Sequence, residues 1–302
     1  MVSLPSLSEL ISKGAPVELV DLALKRETLQ ATRPEGCWCL GVGGKGYRYE
    51  YGQDFFETFC GHCPEGLAEW ERYNRAQEEY LRQRESERVK RVWDGASIPK
   101  KFRSMTLDTR PETTEGNVAN VIEMLRYKPM PGREATDGEI ESWKTWHDDW
   151  QRSWLLKGGF GVGKTGLAVG YARERLVSGE LGGGLLFRTV PDLLDELKWT
   201  YDKNSAETTE EVMGRLYRVE CLILDDLGSE QVTRTGEASE WVKEQMFKIV
   251  NKRHDEEKCT VFTTNKSLDE LKIRLDERIL WRIVEMCKGH IIEVQGPNLR
   301  QV

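Results

Sequence analysis

Residues 158–165 read Gly158-Gly159-Phe160-Gly161-Val162-Gly163-Lys164-Thr165, and this stretch decides the fold. It follows Ser153-Trp154-Leu155-Leu156-Lys157, an apolar run of strand length, and precedes Gly166–Leu176, which patterns as an amphipathic helix. Strand, glycine-rich loop and helix in that order are the context a phosphate-binding loop requires. Gly158, Gly161 and Gly163 let the backbone wrap closely around phosphates, with amide N–H groups aimed at them from the start of a helix. Lys164 is placed to reach β- and γ-phosphate oxygens, and Thr165 to offer a hydroxyl to magnesium. Gly159, Phe160, Val162 and Gly166 complete the cradle. ATP and Mg2+ are the expected ligands.

A second motif follows about 60 residues later, Cys221-Leu222-Ile223-Leu224-Asp225-Asp226. Its apolar residues suit a buried parallel strand, whose C-terminal end would deliver two acids beside the phosphates. Asp225 is the expected holder of the magnesium shell, and Asp226 the group that orients or deprotonates the attacking water. A third run, Cys259-Thr260-Val261-Phe262-Thr263-Thr264-Asn265, ends in a polar cluster. Beside the first two motifs, Asn265 reads as a contact to the γ-phosphate or the water, and otherwise as a turn former that closes the strand.

From about residue 104 short apolar runs alternate with helical stretches: Trp154–Lys157, Leu185–Arg188, Cys221–Asp225, Val261–Thr264 and Ile291–Val294. The alternation predicts an α/β fold with a parallel sheet covered on both faces. Within Glu139–Trp150, Trp143, Trp146, His147 and Trp150 share one helical face, which either packs beside the P-loop or binds a partner. With 38% hydrophobic and 31% charged residues the chain reads as an ordinary globular protein. It shows neither a membrane-length apolar run nor a secretory leader, so the expected location is the cytoplasm, with no membrane partner. A net charge of −7 argues against a surface coated for nucleic acid, but Arg82–Arg103 carries eight basic residues against three acidic ones. That stretch is either a local basic track or a solvated helix face followed by a linker.

The N-terminal third has a different character. Leu7, Leu10 and Ile11, then Val17, Val20 and Leu24, fall at helical spacing. Residues 36–66 suit short strands and turns, and residues 67–93 a charged helix, with Ile98-Pro99 as an extended linker. Cys37-Trp38-Cys39 and Cys60-Gly61-His62-Cys63 form two close pairs able to meet in a tetrahedral zinc site. His62 can replace one cysteine, and four reduced, unliganded thiols are the alternative. Cys221, Cys259 and Cys287 read as ordinary core residues.

The order of these motifs resembles the DnaC/IstB branch of the AAA+ ATPases. The resemblance rests on the P-loop, Leu222-Ile223-Leu224-Asp225-Asp226-Leu227-Gly228, Thr263-Thr264-Asn265 and Glu277-Arg278-Ile279-Leu280-Trp281-Arg282-Ile283. Ile98–Arg103, Phe247–Arg253 and Gly296-Pro297-Asn298-Leu299-Arg300 are also similar. It covers residues 97–302, leaving 1–96 as a helical, zinc-binding, partner-binding domain. By resemblance the sheet order is 5-1-4-3-2. Arg282 is then an arginine finger completing a neighbouring subunit's site, with Arg278 the near alternative, and Arg300 reads nucleotide within its own subunit. The stretch 112–150 is longer than that family leads one to expect, and only 37 residues follow Asn265, too few for a helical lid domain. The resemblance implies a helicase loader that binds a replicative helicase and single-stranded DNA as a ring or spiral homo-oligomer. An IstB-like transposition helper that remodels DNA and recruits a transposase is the alternative. The segment Arg188-Thr189-Val190-Pro191 through Lys198-Trp199-Thr200-Tyr201-Asp202-Lys203 is the expected DNA contact, with aromatics to stack on bases beside lysines that follow phosphates.

Overall fold

The apolar run ahead of the P-loop forms strand β3 (Trp154–Gly158), an interior strand of a five-stranded parallel sheet. The computed structural model describes residues 45–51, 54–59, 64–109, 116–132, 134–182, 184–230 and 238–299. Two compact units divide the chain, Met1–Arg88 and Val89–Val302. In the first, β1 (Lys45–Tyr51) and β2 (Asp54–Phe59) pair as an antiparallel hairpin. Helix α1 spans Pro64–Gly95. The short strands expected over 36–66 and the charged helix after them are both present.

The other strands of the sheet are β4 (Leu185–Thr189), β5 (Cys221–Asp225), β6 (Cys259–Thr264) and β7 (Ile291–Val294). All five expected runs form strands, and the order β4-β5-β6-β3-β7 is the AAA+ order 5-1-4-3-2. Successive strand side chains point to opposite faces, so each apolar strand feeds two cores. Leu156, Ile223 and Val261 pack with Leu167, Ala168 and Tyr171 of α4 (Lys164–Val177), the helix that starts at the P-loop. Leu155, Leu222, Leu224 and Phe262 pack instead against α5 (Val190–Trp199), α6 (Thr209–Arg218), α7 (Glu240–Asp255), α8 (Leu268–Leu275) and α9 (Glu277–Met286). Capping boxes at Thr208/Glu211 and Ser267/Glu270 fix where α6 and α8 begin.

The long stretch before the P-loop contributes α2 (Val118–Leu125) and α3 (Asp137–Trp150), both covering the P-loop helix. The aromatic face of α3 takes the packing role. Trp150 is buried, its Nε1 donates to Leu125 O at 3.1 Å, and its ring lies 5.3 Å from that of Tyr171 on α4. Trp146 stacks on Trp150 at 5.7 Å, and Trp143 stacks on His147 at 4.5 Å. Burying a side chain of this kind is worth about 1.5–3 kcal/mol, which anchors the segment firmly behind the P-loop.

One expectation is corrected. Ile98-Pro99 is not a free linker, because Ala96 and Ile98 are buried in the same core as α4. The Phe187 N–H of β4 donates to Ala96 O at 2.8 Å, and Phe102 packs its ring against Phe187 at 6.5 Å. Pro99 is extended, as the residue type requires, but the apolar residues around it had a sheet edge to cover.

Candidate active site

The P-loop closes where β3 ends and α4 begins. Gly161 (φ 76°) and Gly163 (φ 87°) both adopt left-handed conformations that a side chain would strain. At Gly158 a Cβ would lie 2.3 Å from Val294 O, so β7 presses on the backbone there. Lys164 is only 7% exposed, and its Nζ donates to Gly158 O at 2.9 Å and to Gly159 O at 2.7 Å. The ammonium is thus held inside the curl of its own loop, at the positive end of α4.

Thr165, one residue on, donates its Oγ1 to Asp225 Oδ1 at 2.8 Å. Asp225 sits at the end of β5, 4% exposed, and accepts a second bond on the same oxygen from Thr263 Oγ1 at 2.6 Å. Burial raises its pKa and the negative Asp226 adds to this, whereas the Thr263 and Thr165 hydroxyls and the Lys164 charge pull it down. Asp226 follows at φ 58°, exposed, in a conformation aspartate tolerates better than most residues. Its N–H donates to Thr263 Oγ1 at 3.0 Å, and its carbonyl accepts from Ser229 N at 3.1 Å. Thr263 therefore ties both acids in place. Next to it, Thr264 Oγ1 donates to Leu227 O at 2.6 Å, and half-buried Asn265 leaves the end of β6.

The structure brings Lys164, Thr165, Asp225 and Asp226 to one edge of the sheet, with Asn265 at the end of the adjoining strand. Those residue types can hold a triphosphate, share a divalent cation and position a water. Thr263 is a site residue that sequence reasoning passed over, although it stands inside the quoted Thr-Thr-Asn. Arg278 and Arg282 lie elsewhere, on α9, whose core-facing residues pack on the sheet face opposite α4. Arg282 Nε donates to Asn251 Oδ1 at 2.5 Å, and its guanidinium lies 4.7 Å over the Phe247 ring. Arg278 is exposed and pairs with Asp276 at 3.1 Å. Arg300 and Cys37, Cys39, Cys60, His62 and Cys63 fall outside the described residues. Among the described residues no cluster of His, Cys, Asp and Glu is arranged to hold a metal on its own, and no helix is long and apolar enough to cross a membrane.

In the expected DNA segment, Trp199 is 74% exposed and Tyr201 60%. Tyr201 is braced by Trp241, whose Nε1 donates to its hydroxyl at 3.1 Å. Arg188 is already paired with Glu196 at 2.7 Å, so its charge is compensated within the protein.

Residues 142–302 match the family model described as IstB-like ATP binding protein, and the match contains Lys164, Thr165, Asp225, Asp226, Thr263, Asn265, Arg278 and Arg282. The chain belongs to this family. Among curated relatives of this IstB-like ATP-binding protein, the replicative helicase loader DnaC of Escherichia coli (strain K12) is 28% identical over 131 residues, covering 43% of this chain and 49% of DnaC. The replicative helicase loader DnaI of Bacillus subtilis (strain 168) is 32% identical over 118 residues, covering 39% of this chain and 34% of DnaI. The chain thus spans half or less of the length of these relatives. The crystal structure of DnaI aligns with a TM-score of 0.47 at 25% identity, covering 68% of this chain and 95% of that one.

The buried Asp225 carboxylate leads to a prediction with two readouts. Its pKa is raised on folding, so the native state is penalised for carrying the charge at neutral pH and the penalty is relieved as pH falls through the raised value. Asp225→Asn is expected to melt a few degrees higher than wild type at neutral pH without nucleotide. That advantage should shrink in acid, and the stabilisation by magnesium and ATP should be lost. Thermal melts across pH, with and without ligand, check both parts.

Proposed function

We propose that this IstB-like protein is an ATP-dependent helicase loader, which binds a replicative helicase and single-stranded DNA and hydrolyses ATP between subunits. The observation that carries the ATPase half is the convergence of Lys164, Thr165 and Thr263 on Asp225 and the adjoining loop. The Thr165 hydroxyl and the Asp225 carboxylate, 2.8 Å apart, are a hard oxygen pair of the kind magnesium takes. When bound, the ion neutralises phosphate charge. Lys164 would exchange its loop carbonyls for phosphate oxygens, Asp226 would orient the water and accept its proton, and Asn265 would hold the water or the γ-phosphate. Arg282 is the proposed finger. The position of α9 on the face opposite the P-loop helix supports its acting on a neighbouring copy, and Arg278, exposed on the same helix, is the alternative.

Exposed Trp199 and Tyr201 beside Lys198 and Lys203 support the DNA contact, because every base offers a π-face to stack. The role of DnaC and DnaI as replicative helicase loaders supports the choice of partner. Zinc held by Cys37, Cys39, Cys60 and Cys63 in the segment 1–96 is supported by their spacing. A second reading, a transposition helper, is favoured by the IstB-like description of the matching family.

Pull-down with the full-length protein in the presence of ATP separates the two. Capture of the host's replicative helicase is expected, and capture of a transposase with no helicase would sink the loader reading in favour of the helper.

A further inference from the structure

The chain beyond β7 runs back along the phosphate loop. Leu299 N–H donates to Gly161 O at 3.0 Å. Asn298 lies directly on Gly161, where an added Cβ would stand 1.8 Å from its Oδ1 and 2.5 Å from its Cγ. Gly161 is therefore glycine for two reasons, its positive φ and the carboxamide that fills the space a side chain would need.

This contact is not made by a loose end. Asn117, ahead of α2, clamps the strand just before it, with Nδ2 donating to Glu293 O at 2.7 Å and Oδ1 accepting from Gln295 N at 2.8 Å. The Asn117 N–H also donates to Gln295 O at 3.0 Å, and neighbouring Gly116 leaves no room for a Cβ, which would meet Gln295 O at 2.0 Å. Residues 293–299 are thus fastened on one side to α2 and on the other to the middle of the phosphate loop.

Resting on the ATP-binding reading of the same loop, we propose that Asn298 is a positioning residue for phosphate binding: its neutral carboxamide braces Gly161 and sets the curvature in which the loop amides meet the triphosphate. Two features of asparagine suit that role. It is short enough to fill the gap over a glycine, and it carries no charge into a site that must accept a polyanion. An aspartate of the same shape would set a carboxylate against the phosphates, where like charges repel most strongly in a partly desolvated site. The number of phosphates then becomes the diagnostic, since a charge-based penalty grows with the charge of the ligand.

The test measures the affinity of the full-length protein for ATP, ADP and AMP with magnesium, by titration calorimetry, for wild type, Asn298→Ala and Asn298→Asp. Melting without nucleotide monitors the fold. Asn298→Ala is expected to weaken ATP binding about 3–10-fold and Asn298→Asp about 30-fold or more, with the aspartate penalty falling from ATP to ADP to AMP. Both variants should melt within about 2–4 °C of wild type, the shift of ~1 kcal/mol in a domain of this size. Variants that bind ATP within twofold of a tightly binding wild type overturn this inference alone. So does a loss that is the same for both substitutions and for all three nucleotides, which would mark a purely structural residue. Wild-type protein that binds neither ATP nor ADP overturns the ATP-binding reading and the role of Asn298 with it.

Discussion

Lys164→Ala is expected to abolish productive ATP binding and to lower turnover by roughly 10²–10³-fold, the scale of removing one preorganised electrostatic group from a reacting site. The expectation follows from where the ammonium lies. It is nearly buried at the N-terminus of α4 and bonded to the carbonyls of Gly158 and Gly159, so it is held where a phosphate chain would enter. Removal takes away the one side-chain charge of the loop and leaves backbone dipoles to hold a polyanion. The experiment is a steady-state phosphate-release assay together with nucleotide titration. The same variant also tests the shared site. Mixed with Arg282→Ala protein, which keeps an intact P-loop, it should recover part of the activity, because an interface that sets the loop of an Arg282→Ala subunit against the arginine of a Lys164→Ala subunit pairs a good loop with a good arginine. Recovery only with Arg278→Ala, and none with Arg282→Ala at any ratio, would transfer the finger to Arg278. A Lys164→Ala protein that hydrolyses ATP like wild type would contradict the site altogether.

Arg253→Met is expected to cost about 3–5 kcal/mol of stability, the scale of leaving two or three buried hydrogen-bond acceptors unpaired. Arg253 is 0% exposed at the end of α7. Its Nε donates to Thr260 Oγ1 at 2.8 Å, and Nη1 to Leu216 O at 2.6 Å and Val219 O at 2.9 Å. Nη2 donates to Cys259 O at 2.5 Å. One guanidinium thus ties the end of α6 to the starts of β5 and β6. Burial pulls its pKa down to about 10, yet it remains charged at neutral pH. Methionine fills much of the volume but donates nothing, and each orphaned buried carbonyl costs about 1–3 kcal/mol. A fall in melting temperature of about 10 °C is the expected reading for a domain of this size. Because Arg253 serves the N-terminal edge of the parallel strands, opposite the phosphate loop, the protein that remains folded should bind ATP normally. A melting temperature within about 2 °C of wild type would refute the account.

These two residues differ in how visible they were beforehand. Lys164 stands in a contiguous pattern, where loop, lysine and helix are neighbours in the chain and local backbone geometry does the positioning. Arg253 stood in a stretch that merely resembled a family segment, and an arginine at the end of a charged helix ordinarily points to solvent. Its burial depends on carbonyls more than 30 residues earlier, at Leu216 and Val219. Arg282 shows the same limit. Sequence order marked it as a candidate finger, but its bond to Asn251 and its place over Phe247 come from the packing of α9 on α7.

The strand order came through the resemblance to the AAA+ ATPases; sequence alone determined the five strands, the helix that carries the P-loop and the acids at the end of β5. Each is written in local periodicity or in short-range spacing, and the right-handed crossover of parallel strands leaves few ways to assemble them. Only the tertiary structure decided that Ile98 is core rather than linker, that the tryptophans of α3 brace the P-loop helix, and that Thr263 ties both acids. It alone placed Asn298 on Gly161, more than 130 residues away in the chain. Contacts of that kind leave no period in the sequence. They depend on which surfaces meet once the sheet has formed, and on which polar groups must then find partners away from water.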